Sequence, residues 1–437
     1  MLKALIIADD LTGAMDTAVH FAAAGFNTGI CVLIRSTEMR QVLRSEKFEV
    51  LAINAGTRHL PSWEAGSIVY SLVRMAAMIK IPYIYKKTDS AMRGNVGAEL
   101  SAMRDALKLD RLPFVPAYPR LGRTVRGGVL YINGVPAAET ALGKDPFTPL
   151  SSSRVSEILA QTCEPEDAEK IEIFDAETDE QLEQLGGMPG ERIRFCAGCG
   201  GFAEILSRLL SAESRPAALD PAPAMNGPEQ LSPVLIINGS LHPNSLAQVR
   251  EAAENGAPAF PVPVTQTLAS HLQGSLVQRS MAQSPMLQSS MLQSPLVSGA
   301  IAALKEKGIC ILSTSGITCP AVEQEETAGH SITAPRTSAE LPPSSPAPTA
   351  KQLAEKITGS LARMLCDTGE VKTLCVFGGD TLLSVVQALG VPEMRVRCEL
   401  QPGVVLGSLE FNGKTLNLIS KAGSFGKKDL ILQLFPS

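Results

Sequence analysis

The sequence predicts an α/β protein of two domains, each built on a mainly parallel or mixed sheet, with an active-site cleft between them. Three observations lead there. The chain is 437 residues long, more than one hydrophobic core usually serves. Short apolar runs alternate with helical patterns in its first half, which is the signature of parallel strands joined by helices. That alternation breaks at Ser211–Pro233, rich in Pro, Ala and Ser, and then resumes. The expected division is therefore residues 1–215, a connector at 216–233, and 234–437.

The opening run Leu5–Ala8 reads as a buried strand, and Thr12–Ala24 as a small-residue helix ending at Gly25. Further strands are expected at Thr28–Ile34, Val50–Asn54, Tyr83–Lys86, Phe114–Ala117 and Ile171–Phe174. Val96, Leu100, Met103 and Leu107 recur at spacings of four, three and four, which marks one helix face. In the second half, Val234–Asn238, Ile309–Ser313 and Thr373–Phe377 read as strands, and Lys351–Cys366 and Leu382–Leu389 as helices. Ser280–Ser298, with a degenerate Ser-Pro-Met-Leu-Gln-Ser repeat, and Ser331–Ala350, rich in Pro, Ser and Thr, read as loops or disorder.

Composition narrows the function. The net charge is −5 and only 4% of residues are aromatic, which argues against a nucleic-acid binder needing basic tracts and stacking rings. The apolar start reaches Asp9 and Asp10 too soon for a signal peptide, and no run is long enough to cross a membrane. Nine cysteines without a framework of spacings suit a reducing cytoplasm. A small-molecule enzyme is the favoured class, with a homo-oligomer left open.

Several segments concentrate chemistry. Ala8-Asp9-Asp10-Leu11-Thr12-Gly13-Ala14 sets two carboxylates at the carboxyl end of a strand, where α/β folds place ligands; Asp10 could equally cap the following helix. Lys86-Lys87-Thr88-Asp89-Ser90-Ala91-Met92-Arg93-Gly94-Asn95 brings cations to a helix start, a place suited to an anion. Residues 86–126 hold nine Lys/Arg against four Asp/Glu; Arg104, Lys108 and Arg111 read as solvated helix surface and are set aside. The rigid loop Pro116–Thr124, followed by Gly127-Gly128, offers Arg120 and Arg123 to a carboxylate or phosphate.

In the second half, Asn238-Gly239-Ser240, Gly378-Gly379-Asp380-Thr381 and Ala422-Gly423-Ser424-Phe425-Gly426 form glycine-hydroxyl turns after strands. Their exposed amides suit phosphate oxygens. Weaker signals are Gly198–Ala203, a loose dinucleotide pattern without its acidic residue, the lone Cys196-Ala197-Gly198-Cys199, and Gly143-Lys144, which lacks the spacing of a phosphate-binding Walker loop. The histidines are scattered without metal-ligand spacing, so the metal ligands are unassigned.

Together, these segments resemble the four-carbon acid sugar kinases, and the resemblance spans nearly the whole chain. It rests on residues 8–14, 86–94 and 119–128, on Asn238-Gly239-Ser240, on Gly378–Thr381, and on Lys421–Gly426. Departures are Asp380, where the family usually carries Glu, and Leu241-His242-Pro243 after the Gly-Ser turn. The resemblance implies ATP-dependent transfer to the terminal hydroxyl of a tetronate-type acid, with Mg²⁺ neutralising the phosphates. It implies an acid-binding first domain and an ATP-binding second one. On that reading Asp9, Asp10 and Asp89 are the catalytic candidates. Thr12, Arg58, Lys87, Ser90, Arg93, Gly94 and Arg123 are the substrate-binding set, and Ser240, Gly378, Gly379, Asp380, Thr381 and Gly423 hold the nucleotide. An NAD(P)-dependent oxidoreductase and a non-catalytic sugar-acid sensor are the competing readings.

Overall fold

The computed structural model describes residues 2–32, 39–140, 143, 149–214, 231–262, 294–314, 350–423 and 425–436. The chain divides into two compact units, Met1–Gly227 with Gly390–Gly426, and Pro228–Leu389 with Lys427–Ser437. The Ser-Pro-Met-Leu-Gln-Ser repeat, most of the 216–233 connector, nearly all of Ser331–Ala350, and Lys144 lie outside the described residues.

The first unit begins β1 (Ala4–Ala8), α1 (Leu11–Ala23), β2 (Thr28–Cys31), α2 (Met39–Arg44), β3 (Val50–Asn54), α3 (Ser62–Ile79), β4 (Tyr83–Lys87), α4 (Val96–Leu107) and β5 (Leu112–Val115). A small antiparallel ribbon follows, β6 (Arg123–Arg126), β7 (Val129–Ile132) and β8 (Val135–Pro136). Then come α5 (Val155–Leu159), α6 (Pro165–Ala168), β9 (Ile171–Ile173), α7 (Asp179–Leu185), α8 (Glu191–Arg194), β10 (Phe195–Gly198) and α9 (Gly200–Ser214). The parallel strands lie in the order β2-β3-β1-β4-β10-β5-β9. Leu5, Ile6 and Ile7 of β1 are wholly buried, as a central parallel strand covered on both faces must be.

Strand order fixes where a ligand can enter. From β1 the chain travels through α1 past β3 to β2; from β3 and β4 it travels the opposite way through α3 and α4. Because crossovers are right-handed, opposite directions put α1 on one face and α3 with α4 on the other. Accordingly, α3 packs on α4 and α1 packs on α9. The turns after β1 and β4 thus diverge at adjacent strands, which opens a crevice at their carboxyl ends.

The second unit repeats this order. It holds β11 (Val234–Asn238), α10 (Pro243–Glu254), β12 (Ala259–Pro261), α11 (Pro295–Lys307), β13 (Ile309–Ser313), α12 (Ala350–Asp367), β14 (Thr373–Phe377), α13 (Gly379–Leu389) and the terminal α14 (Leu430–Leu434). Its parallel strands run β12-β13-β11-β14, the same arrangement as β2-β3-β1-β4. The crossover from β13 through α12 to β14 runs opposite to that from β11 through α10 to β12, and α13 packs on α12, so the turns after β11 and β14 diverge.

Several expectations need correcting. Residues 390–426, expected in the second domain, fold with the first unit as β15 (Glu393–Gln401), β16 (Val404–Phe411) and β17 (Lys414–Lys421). β15 pairs antiparallel with β2, and β16 pairs antiparallel with both β15 and β17. Asn412 and Gly413, both at positive φ, make the tight turn between β16 and β17. The 280–298 stretch is not all loop, because α11 starts at Pro295, where the Ser294 side chain accepts from the Val297 amide. Ser211–Ser214, read as connector, is the last turn of α9. Phe114–Ala117 ends early as a strand, since β5 is Leu112–Val115. Arg104 is not solvated surface: it is buried and donates to Asp105 and Asp167, which ties α4 to α6.

Candidate active site

Asp9 is the first residue beyond β1, and Asp10 is the N-cap of α1, its Oδ1 accepting from the Gly13 amide at 2.7 Å. Arg58, from the loop between β3 and α3, spans both carboxylates. Its Nε donates to Asp9 Oδ2 at 2.7 Å and its NH1 to Asp10 Oδ2. Its NH2 reaches Asp89 Oδ1 at 3.4 Å. Asp89, just past β4, receives the Nε and NH2 of Arg93 in a two-point fork, both at 2.9 Å, and also the Ala91 amide. Gly94, at φ 90°, lies against Arg58; a Cβ there would sit 3.3 Å from Arg58 Cγ. The absence of side chains at Gly13 and Gly94 lets the charges converge.

Electrostatics separates the carboxylates. Burial would raise Asp9, yet Arg58, Lys86 and Lys87 outweigh it and hold the carboxyl below the ordinary range. Burial likewise opposes ionisation of Asp89, but Arg93 and Arg58 push it well below. Asp10 goes the other way: burial, aided by the neighbouring Asp9 charge, raises it against the pull of Arg58. The Asp9–Asp10 pair therefore combines a committed anion with a better proton acceptor.

Behind these groups lies a second, wholly buried pair. Lys86 Nζ meets Glu99 Oε2 at 2.9 Å and donates to the Lys87 carbonyl at 2.7 Å. The other Glu99 oxygen accepts from the Thr57 hydroxyl. Lys86 and Lys87 are adjacent in β4, so they leave opposite faces of the sheet. Lys87 lies on the α1 side, its Nζ 3.2 Å from where a Gly13 Cβ would be. Sequence reasoning missed Glu99 and Thr57. A signal existed for Glu99, because it falls within the Val96–Leu100–Met103 apolar stripe, where a carboxylate demands a buried partner.

Arg123 and Arg120 part company. Arg123 is half-buried, close enough to Asp89 and Arg93 to feel both, and its NH1 donates to the Leu121 carbonyl. Arg120 instead turns to the Tyr118 hydroxyl and to Glu204 and is half exposed. The structure thus brings together Asp9, Asp10, Arg58, Lys87, Asp89, Arg93, Gly94 and Arg123, with Thr12 and Ser90 on the same turns. Four cations (Arg58, Lys87, Arg93 and Arg123) stand with three carboxylates, so the cluster carries one positive charge in excess. Among the described residues, seven buried side-chain polar atoms lack a hydrogen bond, and four belong to this site: Asp9 Oδ1, Thr12 Oγ1, Thr88 Oγ1 and Arg123 Nε. Buried polar groups rarely go unpaired without a ligand or water to meet them.

In the second unit, Asn238-Gly239-Ser240 follows β11 and Gly378–Thr381 follows β14, at the carboxyl ends of adjacent strands. Gly378 adopts φ 106°, and a Cβ there would lie 3.6 Å from the Ser240 Cβ. Gly239 leaves room for Thr381, whose hydroxyl would collide with any Cβ at that position. Asn238 closes its own turn and ties it to the end of β13, accepting from the Ser240 amide at 3.3 Å and donating to Ser313 at 3.1 Å. Gly379, Asp380 and Thr381 form the first turn of α13, where helix amides and dipole favour anions. Gly423 belongs to the first unit; the buried Lys421 donates to the Gly423 and Phe425 carbonyls.

Other sequence signals resolve as packing. Gly198, Gly200 and Gly201 sit against Tyr85, Asp16 and Tyr118 with no space for side chains. Cys196 and Cys199 are buried free thiols, and burial pushes both up, Cys199 to about 11. No helix among the described residues is long and apolar enough to cross a membrane.

Comparison with known proteins adds the family. Residues 4–171 match the sugar-binding N-terminal domain model, and residues 325–431 the nucleotide-binding C-terminal domain model. The chain is 26% identical over 456 residues to a D-threonate kinase of Salmonella typhimurium, covering 97% of this chain and 96% of that one. It is 26% identical over 452 residues to a 3-oxo-tetronate kinase of Pseudomonas fluorescens, covering 97% and 94%. A solved Haemophilus influenzae structure of the DUF1537 family superposes with a TM-score of 0.64 at 20% identity, covering 98% of each chain, which is a likeness of fold. With the paired sugar-binding and nucleotide-binding matches and relatives that are kinases along their whole length, the chain belongs to the four-carbon acid sugar kinase family.

Proposed function

We propose that the chain is an ATP-dependent kinase that phosphorylates the terminal hydroxyl of a four-carbon sugar acid such as threonate, erythronate or 3-oxo-tetronate. The observation that carries the acid half is the single positive charge left over in a buried cluster at the carboxyl ends of β1 and β4. A monoanionic carboxylate of the substrate neutralises that charge. Arg123, with its unpaired Nε, and Lys87 are assigned to the substrate carboxylate. The fork of Arg93 is committed to Asp89, so Arg93 adds charge and fixes Asp89.

A polyol supplies the donors the site lacks. Ionised Asp9 only accepts, and its Oδ1 is unpaired, which suits a substrate hydroxyl. Asp10, with the raised carboxyl, is the better acceptor for the proton of the attacking hydroxyl.

The turns after β11 and β14, with Ser240, Gly378, Gly379, Asp380 and Thr381, are assigned to the nucleotide phosphates. What fits them is the side-chain-free backbone at Gly239 and Gly378 and the start of α13. Among the described residues no group of three or more His, Cys, Asp or Glu side chains is placed to hold a metal. Mg²⁺ would therefore take its ligands mainly from phosphate and water, and when bound it supplies charge neutralisation during transfer. The buried free thiols support a reducing, cytoplasmic setting.

The test is ADP release, followed with a coupled assay across isomers of erythronate, threonate and 3-oxo-tetronate. Turnover with at least one acid, dependent on ATP and Mg²⁺, is the expected result. Acid binding with no ADP above the acid-free background would support a sensor and overturn the kinase.

A further inference from the structure

We infer that Thr57, Glu99 and Lys86 form a buried positioning unit that sets Arg58 and Asp9 for acid recognition. The inference rests on the acid-binding reading above. None of the three needs to touch substrate: Lys86 and Glu99 are 0% and 1% exposed, and Thr57 is wholly buried.

A buried ion pair is a poor way to gain stability, because two charges must leave water and an apolar pair of similar size packs as well. What an apolar pair lacks is direction. Here each bond the pair makes to a third residue ends on a charged residue of the site or on its chain neighbour. Lys86 Nζ donates to the carbonyl of Lys87. Glu99 takes the hydroxyl of Thr57, the residue before Arg58.

The Thr57 turn is pinned on its remaining sides as well. The amides of Thr57 and Arg58 both donate to the Asp9 carbonyl, at 3.0 and 3.3 Å. The Thr57 and Leu60 carbonyls both accept from the Asn95 side chain, at 2.9 and 2.8 Å. The unit therefore links the ends of β1 and β4, the start of α4 and the Arg58 loop. Arg58 must meet three carboxylates on two segments, the turns after β1 and β4, and a displacement of about 1 Å is enough to spoil such an arrangement. Lys86 and Glu99 neutralise each other, so the unit adds rigidity without altering the charge excess next to it.

The experiment compares Thr57→Val, which keeps the shape and removes the hydroxyl, with Thr57→Ser, which keeps the hydroxyl. Glu99→Gln is the second variant, should valine prevent folding. Each is measured by melting temperature, by hydrogen exchange of the segment spanning residues 55–60, and by KM for the acid and for ATP. We expect Thr57→Val and Glu99→Gln to speed exchange of the Thr57 and Arg58 amides and to raise the acid KM about 10-fold. The ATP KM stays at the wild-type value, and Thr57→Ser restores both exchange and acid KM.

Wild-type exchange and acid KM in Thr57→Val would overturn the inference. So would equal rises in both KM values that track the melting temperature, the mark of a purely structural role. If the wild-type chain turns over no acid, the kinase reading has failed on its own. The contrast in exchange between Thr57→Val and Thr57→Ser then decides the positioning role.

Discussion

Replacing Arg58 with methionine tests the electrostatic core of the site most directly. The guanidinium is 14% exposed and bonded to Asp9, Asp10 and Asp89. Hydrogen bonds to charged groups contribute about 1.5–3 kcal/mol each, but Lys87, Arg93 and Arg123 remain to compensate part of the exposed negative charge. The net destabilisation is therefore expected near the value for breaking a buried pair, about 3–5 kcal/mol.

Its pH dependence follows from the carboxylates. In the wild type, Asp9 and Asp89 are depressed, so their stabilisation is present above the unfolded value of about 3.9 and lost only as pH falls through the folded values. Asp10 is raised, so its ionisation weakens the fold at neutral pH, and that penalty is relieved as pH falls through the folded value. Without Arg58 all three carboxyls move upward, and protonation relieves their repulsion. Urea unfolding followed by circular dichroism should then show a large difference from wild type at about pH 7.5 and a smaller one at about pH 4.5. A difference below about 1 kcal/mol at the higher pH, or one that does not shrink on acidification, would refute the argument.

Gly239→Ala should weaken ATP binding by roughly 100-fold, because the new Cβ collides with the Thr381 hydroxyl and comes within 3.0 Å of its Cβ and Cγ2, and buried Thr381 has little space to retreat; calorimetry with ATP showing wild-type affinity would remove these turns from the nucleotide site. Thiol labelling at about pH 8 should leave Cys196, Cys199, Cys310 and Cys366 unmodified in the native protein and label them after denaturation, since burial pushes Cys199 to about 11 and both Cys310 and Cys366 to about 12. Rapid native labelling of Cys196 or Cys199, read by peptide mass spectrometry, would revive a redox role for that pair.

Much of the fold is legible in the sequence where one local rule suffices. β1, β3, β11, β13 and β14 are largely apolar runs because covering helices bury both faces, and such runs stand out in any window. Asp10 as a cap and Asn95 at the start of α4 follow from spacing alone. The alternation of buried Met394 and Val396 with exposed Arg395 and Arg397, and the Asn412-Gly413 turn, mark β15–β17 as a local feature. Their attachment to β2 is invisible locally, because the edge of a sheet accepts any strand of suitable register.

The sequence by itself determined the apolar strands such as β1, β3, β11, β13 and β14, which turns carry charge, and that glycines keep those turns open. Tertiary structure alone decided that the turn after β1 meets the turn after β4, that Arg58 spans three carboxylates while Arg120 turns away, and that Glu99 pairs with Lys86. Strand order and buried ion pairing join residues distant in the chain. They are settled by the handedness of crossovers and by the need of each buried charge for an opposite one, neither of which leaves a periodic trace in the sequence.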